Sequence, residues 1–270
     1  MKHGCTAGPA EPRTGDLFPE RRSPVNSVRL GDGISGLGTL EAGSVDLVLS
    51  DLPSGATRHE HDKRPDLKAL WPAIWGALRP DGTAVLMASS FEFARALVDS
   101  EPAAFRYDLI WHKSLATGFL SAKNRPLRAH EFVLVFSRKP GSYTAQMLQG
   151  ATPIHAARRR SHGPNYGRMT ASTESRAGAT DRFPTSVLSF SSVGTSSRDR
   201  RHPQQKPIDL LAWLLRTYSA PGAFVADPFA GSGSTEIACV GEGRRFVGWD
   251  VNPKYGSTVS GIKTGSETRR

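Results

Sequence analysis

The stretch FVADPFAGSGSTEIA, residues 224–238, decides the fold. It opens with an apolar run that stops at Asp227 and reads as a buried strand. It closes, from Ser234 onward, on a helical pattern, and Gly231 and Gly233 stand between the two. A strand that passes through a glycine-rich turn into a helix is the ligand-binding turn of an open α/β sheet. Glycine lets a ligand approach the backbone closely, and the first turn of the helix offers amides with no partner inside the helix. A further strand, RFVGWD at 245–250, ends in Asp250. That is about twenty residues downstream, the spacing at which an acid takes a ribose hydroxyl pair.

The turn is not a dinucleotide fingerprint, because Glu236 occupies the place of the third glycine of GxGxxG, and no Lys-Ser/Thr follows to make a P-loop. Asp227, just before the glycines, would repel a pyrophosphate and suits a ligand that carries an ammonium group. S-adenosylmethionine has that ammonium, a ribose and no phosphate.

Working outward, strands are predicted at 27–30, 45–50, 83–88, 105–112, 131–137 and 223–227, and helices at 66–78, 91–99 and from Pro207, which suits a first helical turn. Residues 79–82, RPDG, read as a turn. Strands alternating with helices imply a mostly parallel sheet covered on both faces, with sites at the carboxyl ends of the strands. Acidic or glycine-rich clusters stand at several of those ends: Asp32, Asp51, Asp227 with the glycines, and Asp250.

The 270 residues suit one catalytic domain with an insertion, and the formal net charge of +10 favours a polyanionic partner, nucleic acid first. Residues 151–201 hold nine arginines, no lysine and three acids, so +6 of that charge lies in one segment. No apolar run is long enough to cross a bilayer, and the first 23 residues lack the apolar stretch of a signal peptide. Cys5 and Cys239 imply no disulfide framework, no metal is assigned, and a cytoplasmic setting is expected.

Three motifs together resemble the β-class of DNA amino-methyltransferases, the N6-adenine and N4-cytosine family, in its phage-type members. DPFAGSGST at 227–235 looks like the cofactor turn, DLPSG at 51–55 like a variant of the catalytic DPPY element, and HPQQKP at 202–207 like the element preceding the cofactor strand. The resemblance implies an α/β fold with a Rossmann-like seven-stranded methyltransferase sheet. It is circularly permuted, with the catalytic motif before the cofactor motif. The domain would comprise 25–139 and 202–258, with 140–201 as an inserted basic target-recognition region and 1–24 and 259–270 as tails. The cofactor implied is S-adenosyl-L-methionine. Phe229, Gly231, Ser232 and Gly233 would shape its pocket, with Asp227 at its methionine end. Asp250 would take the ribose and Asp32 would face the adenine. Lys206, with Gln205 beside it, would border the methionine carboxylate.

An exocyclic base amine is a poor nucleophile, because its lone pair is delocalised into the ring. An acceptor on each amine hydrogen makes the nitrogen more pyramidal and aims it. Asp51 supplies one acceptor, and the carbonyl of Leu52 or Pro53 the other. Pro53 restricts Leu52 to an extended conformation. Ser54 stands where the family places an aromatic residue, so the platform on which a flipped base stacks has to come from elsewhere, with Phe119, Phe229 and Trp111 as candidates. The leading Asp favours adenine N6 over cytosine N4. The partner expected is double-stranded DNA with its target base flipped out, and a homodimer is an open arrangement. Lys123, Arg125 and Arg128 in the 113–130 loop and the run Arg158, Arg159 and Arg160 are the predicted DNA contacts. Two other readings stay open: a catalytically silent DNA-binding protein on the same scaffold, and an oxidoreductase with a dinucleotide cofactor.

Overall fold

The computed structural model describes residues 26–55, 62–150, 152–153, 177–192 and 205–254. The expected tails and Arg158, Arg159 and Arg160 lie outside them. Seven strands carry the expected sheet: β1 (Ser27–Leu30), β2 (Val45–Asp51), β3 (Leu78–Ala88), β4 (Phe105–Thr117), β5 (Arg128–Phe136), β9 (Phe224–Asp227) and β10 (Arg245–Asp250). Within the inserted segment, β6 (Leu148–Gln149) and β7 (Asp181–Arg182) form a separate two-stranded ribbon, and β8 (Val187–Phe190) joins the main sheet. The main sheet runs β1-β10-β9-β2-β3-β5-β4-β8, and only β5 is antiparallel to its neighbours.

Strict alternation along the central strands explains why both faces are covered. Val48, Ala84, Leu86, Leu134 and Phe136 belong to one core, with α1 (Gly33–Leu37), α2 (Leu67–Ala77) and α3 (Phe91–Ser100). Leu47, Leu49, Val85, Met87, Val133 and Val135 belong to the other, with α4 (Ile208–Tyr218) and α5 (Ser234–Gly241). A period of two sends successive side chains to opposite faces, so a strand apolar at every position needs a helical layer on each side. The helices start where capping side chains stand: the Asp66 carboxylate accepts from Lys68 N (2.9 Å) and the Ser90 hydroxyl from Phe93 N (3.2 Å).

Two expectations change. Residues 79–82 do not separate helix from strand, because Leu78 already pairs with Val45 and β3 resumes its register at Thr83 opposite Leu47. The turn chemistry of RPDG is spent on a bulge within the strand, braced by Arg79 Nε on Asp81 and Arg79 Nη1 on Asp46, each at 2.6 Å. Part of the expected 140–201 insertion also joins the main sheet. β8 extends the sheet beside β4, and Thr144 N donates to Thr217 O (2.8 Å). Four residues of alternation are too few to announce a strand in the sequence.

The placement of the site follows from topology. β2 and β9 are neighbours, yet the chain leaves β2 through α2 on one face and β9 through α5 on the other. The two crossovers diverge and open a crevice at the carboxyl ends of these strands, where Asp51 and Asp227 stand. Helix α1 closes one wall at close range. A Cβ at Gly33 would fall 1.8 Å from Pro228 O, and one at Gly36 would fall 2.3 Å from the Trp249 ring. Gly36→Ala should therefore destabilise the protein by about 1–3 kcal/mol, the usual cost of overpacking. Gly76→Ala, where a Cβ meets nothing within 4 Å in α2, should stabilise it by roughly 0.5–1 kcal/mol. Denaturant midpoints of the two variants make the comparison.

Candidate functional site

The crevice is a cleft of about 640 Å³ that runs from the β1–α1 turn past Asp51 to the β9–α5 turn. Six aspartates line it (Asp32, Asp51, Asp62, Asp66, Asp227 and Asp250) against two lysines, Lys63 and Lys206. A chain of net charge +10 thus places a strongly negative cleft at the switch point of its sheet.

Asp227 is the buried centre of the cofactor turn. Its Oδ1 accepts from the Ser50 hydroxyl (2.6 Å) and from Phe229 N (3.0 Å), and its Oδ2 from the Thr235 hydroxyl (2.7 Å). One carboxylate so ties β2, the turn and α5 together. Burial pushes its pKa from 3.8 up to about 6, against those three hydrogen bonds, with the nearby Asp51 charge adding to the rise. The glycines do the rest. Gly231 and Gly233 take φ of 52° and 79°, a region open to glycine and strained for other residues.

Asp250 is a second organiser. Its Oδ2 accepts from Gly231 N (3.0 Å) and its Oδ1 from Asn252 N (2.7 Å), while its carbonyl accepts from Gly31 N (2.9 Å). A carboxylate has about four lone-pair sites, so two bonds leave capacity for a ligand. Asp32 caps α1 by accepting from Ser35 N (2.8 Å) and lines the same cleft. Phe229, Gly231, Ser232 and Gln205 are all on the wall, while Gly233 shapes the turn as the N-cap of α5. The cofactor candidates are therefore brought together.

Lys206 lines the cleft. Its Nζ donates to Asp51 Oδ2 (2.5 Å) and pairs with Glu131 Oε2 (3.3 Å), partners that the sequence did not announce. Glu131 in turn accepts from Lys113 Nζ (3.2 Å), which also donates to Thr117 (3.1 Å). Two acids and two lysines alternate in a nearly closed row that joins the end of β2 to the β4–β5 hairpin. Burial pushes the Asp51 carboxyl up, and the Lys206 ammonium offsets only part of that rise. Burial opposes the Lys206 charge, but Asp51 and Glu131 outweigh it and hold its pKa above the ordinary lysine value. Glu131 goes the other way: burial would raise it, and Lys206 with Lys113 brings it below the ordinary range.

The residues after Asp51 are fixed from several sides. Leu52 is buried and its amide donates to Met87 O (3.3 Å). The Ser54 carbonyl accepts from Arg64 Nε (2.8 Å). Ser54 itself is buried, and its hydroxyl accepts from the Ser89 hydroxyl (2.8 Å). Trp111 is excluded as a stacking platform, since it is buried and its Nε1 donates to Phe190 O (3.0 Å). Arg128, an expected phosphate contact, has its guanidinium donating to the Ser89 carbonyl, which tethers the hairpin to the Ser54 loop. Lys123 and Arg125 are exposed. Sequence reading missed Glu131, Arg64 and Ser89, and took Lys113 only as one of the basic residues of the 113–130 loop. Glu131 alone left a trace, as a charge opening an apolar strand.

The Asp227 shift has a stability consequence. Between pH 4 and about 6 the native state keeps a proton that the unfolded chain has shed, so stability falls as pH rises through that window. Asp227→Asn should remove a fall of about 3 kcal/mol, at roughly 1.4 kcal/mol per pH unit. Denaturant titrations of both proteins from pH 4 to pH 7 would read it as a wild-type-minus-variant difference.

Comparison with known proteins accords with this geometry. The family model described as DNA methylase matches residues 54–260. The chain is 44% identical over 59 residues to a putative methylase, YubD, of Escherichia coli (22% of this chain, 26% of the relative). It is 29% identical over 170 residues to the type II methyltransferase M.XycI of Xanthomonas campestris (63% and 47%). The chain thus spans about half or less of the length of these curated relatives. Among solved structures, the cytosine-N4-specific PvuII DNA methyltransferase superposes with a TM-score of 0.60 at 16% identity, covering 87% of this chain and 86% of that one. A putative DNA modification methylase from Thermus thermophilus, complexed with S-adenosyl-L-methionine, gives 0.53 at 22% identity over 84% and 90%. No helix among the described residues is long and apolar enough to cross a membrane. With a family model covering most of its length and the catalytic and cofactor turns meeting in one cleft, this chain belongs to the DNA methylase family of N6-adenine and N4-cytosine amino-methyltransferases.

Proposed function

We propose that this chain transfers the methyl group of S-adenosyl-L-methionine to the exocyclic N6 amine of adenine in double-stranded DNA, acting in the cytoplasm. The observation that carries this reading is the charge of the cleft: six aspartates and two lysines, one of them already bound to Asp51, inside a basic protein. Such a wall favours a cationic ligand with hydroxyls and opposes a pyrophosphate, which also argues against a dinucleotide-dependent oxidoreductase. Asp227, Asp250 and Asp32 would face the cofactor's ammonium, ribose and adenine. Bound, the cofactor supplies a methyl group already activated by a positive sulfur.

The residues of the chain do the rest. Lys206 holds Asp51 Oδ2 and leaves Oδ1 to accept one amine hydrogen. The Leu52 or Pro53 carbonyl accepts the other, which aims the nitrogen lone pair at the methyl carbon. The bound cofactor would supply the methyl group, and the surplus amine proton would depart by way of Asp51. Positioning and fixed charge account for the acceleration. The target amine is inaccessible inside a duplex, so the base is flipped.

Labelled methyl transfer to unmethylated DNA, followed by nucleoside analysis, tests the reading. We expect N6-methyladenine, and a loss of roughly two to three orders of magnitude in kcat for Asp51→Asn. N4-methylcytosine would overturn the base and keep the mechanism. No product from a protein that still binds the cofactor would leave a silent scaffold.

A pH profile tests the pairing. The carboxylate form of Asp51 is the active one and its pKa is raised, so activity should rise with pH through a limb above the ordinary carboxylate range. Lys206→Met removes the charge that restrains that rise. Its acid limb should move further up, because an adjacent opposite charge favours the carboxylate. An unmoved limb would mean that Lys206 does not govern Asp51.

A further inference from the structure

The β4–β5 hairpin ends in a feature that methyl transfer as derived above does not use. Between Thr117 and its partner Arg128, the chain turns through Gly118 (φ 97°) into a short 3-10 turn, Phe119–Ser121. The tip is ordered by its own backbone: Ser121 N donates to Gly118 O, Ala122 N to Phe119 O, and Asn124 N and Arg125 N to Ser121 O, all within 3.1 Å. It nonetheless presents Phe119 at 70% exposure and Leu120 at 106%. Two large apolar side chains held side by side in water on a fixed turn gain only when a partner covers them.

Three observations say what that partner is. Lys123 and Arg125 follow the apolar pair on the same turn and are exposed, so the surface that meets Phe119 and Leu120 is flanked by negative charge. The base of the hairpin is fixed to the catalytic loop through Arg128, the Ser89 carbonyl and the Ser89–Ser54 hydroxyl pair, so the tip moves with the catalytic loop. Neither Phe119 nor Leu120 lines the cleft, so they are not the floor on which a captured base stacks. Apolar side chains beside phosphate-binding cations are the equipment of a wedge that enters a base step.

We propose that Phe119 and Leu120 form a wedge that enters the DNA stack beside the target base and fills the space the base leaves when it is extruded. Lys123 and Arg125 hold the flanking phosphates. This rests on the reading of the chain as a DNA methyltransferase. It also bears on the exchange of the usual aromatic residue for the buried Ser54: stabilisation given up inside the pocket is supplied at the vacated step.

The test uses the full chain and an oligonucleotide carrying the site mapped from methylated product. In one duplex the target base is paired; in a second it faces an abasic position and has no partner to leave. Phe119→Ser with Leu120→Ser should lower kcat/KM on the paired duplex by roughly ten- to a hundredfold, the equivalent of one or two lost apolar contacts. On the unpaired target the same variant should return to within about threefold of wild type, because no pair has to be opened. A loss of equal size on both duplexes, or no loss on the paired one, would overturn the wedge. A second readout needs no catalysis. Nicked plasmid sealed by ligase with the protein bound should change its linking number with wild type and not with the double variant, while both retain binding. Unwinding without methyl transfer would sink the methyltransferase reading and keep the wedge; binding without unwinding by wild type would sink the wedge.

Discussion

The hydrogen bonds on the Asp227 carboxylate are the constraint on which the site depends. A carboxylate buried at the end of a parallel strand is costly unless its oxygens are satisfied, and here a hydroxyl from β2, an amide from its own turn and a hydroxyl from α5 satisfy it. The donor on β2 is Ser50, whose covalent neighbour is Asp51. The position of the glycine turn and the position of the Asp51 carboxylate are thus set by one interaction across two adjacent strands. The diverging crossovers open the crevice, and Asp227 fixes its two sides relative to each other.

The second constraint is electrostatic. In the proposed reaction Asp51 has to be charged to accept a hydrogen from a base amine, yet its burial, with Glu131 and Asp62 nearby, discourages charge. Lys206 resolves part of this conflict, Glu131 balances Lys206, and Lys113 pairs with the other oxygen of Glu131. Removing one partner of such a buried row strands the next, which costs more than the row as a whole contributes. The row ends in the hairpin that carries the exposed apolar tip. The arrangement that sets the charge state of Asp51 is therefore joined to the element we assign to DNA distortion.

Much of the frame is legible in the sequence, for local reasons. The turn at 227–235 needs glycine at positive φ and an acid at the strand end, and both are visible as letters. The two-sided burial of the central strands and the helix at 208–218 follow from periodicity and turn chemistry, while the order of catalytic and cofactor motifs follows from the family resemblance. Arg79 to Gly82 shows the limit of such reading. The residues form a tight turn in either case, and only the pairing of Leu78 with Val45 makes it a bulge inside β3 rather than the start of it.

The sequence by itself determined the class of fold, the cofactor turn, and Asp51 as the acid at the end of a central strand, because each depends on residues adjacent along the chain. Tertiary structure alone decided that Lys206 meets Asp51 and Glu131, that Ser54 is buried against Ser89, that Arg128 turns inward to a carbonyl and that β8 joins the sheet. The physical reason is separation. Lys206 and Asp51 lie 155 residues apart and Arg128 and Ser89 lie 39 apart. A charged or polar side chain takes whatever partner the packed strands bring to it, and no local pattern records which one that will be.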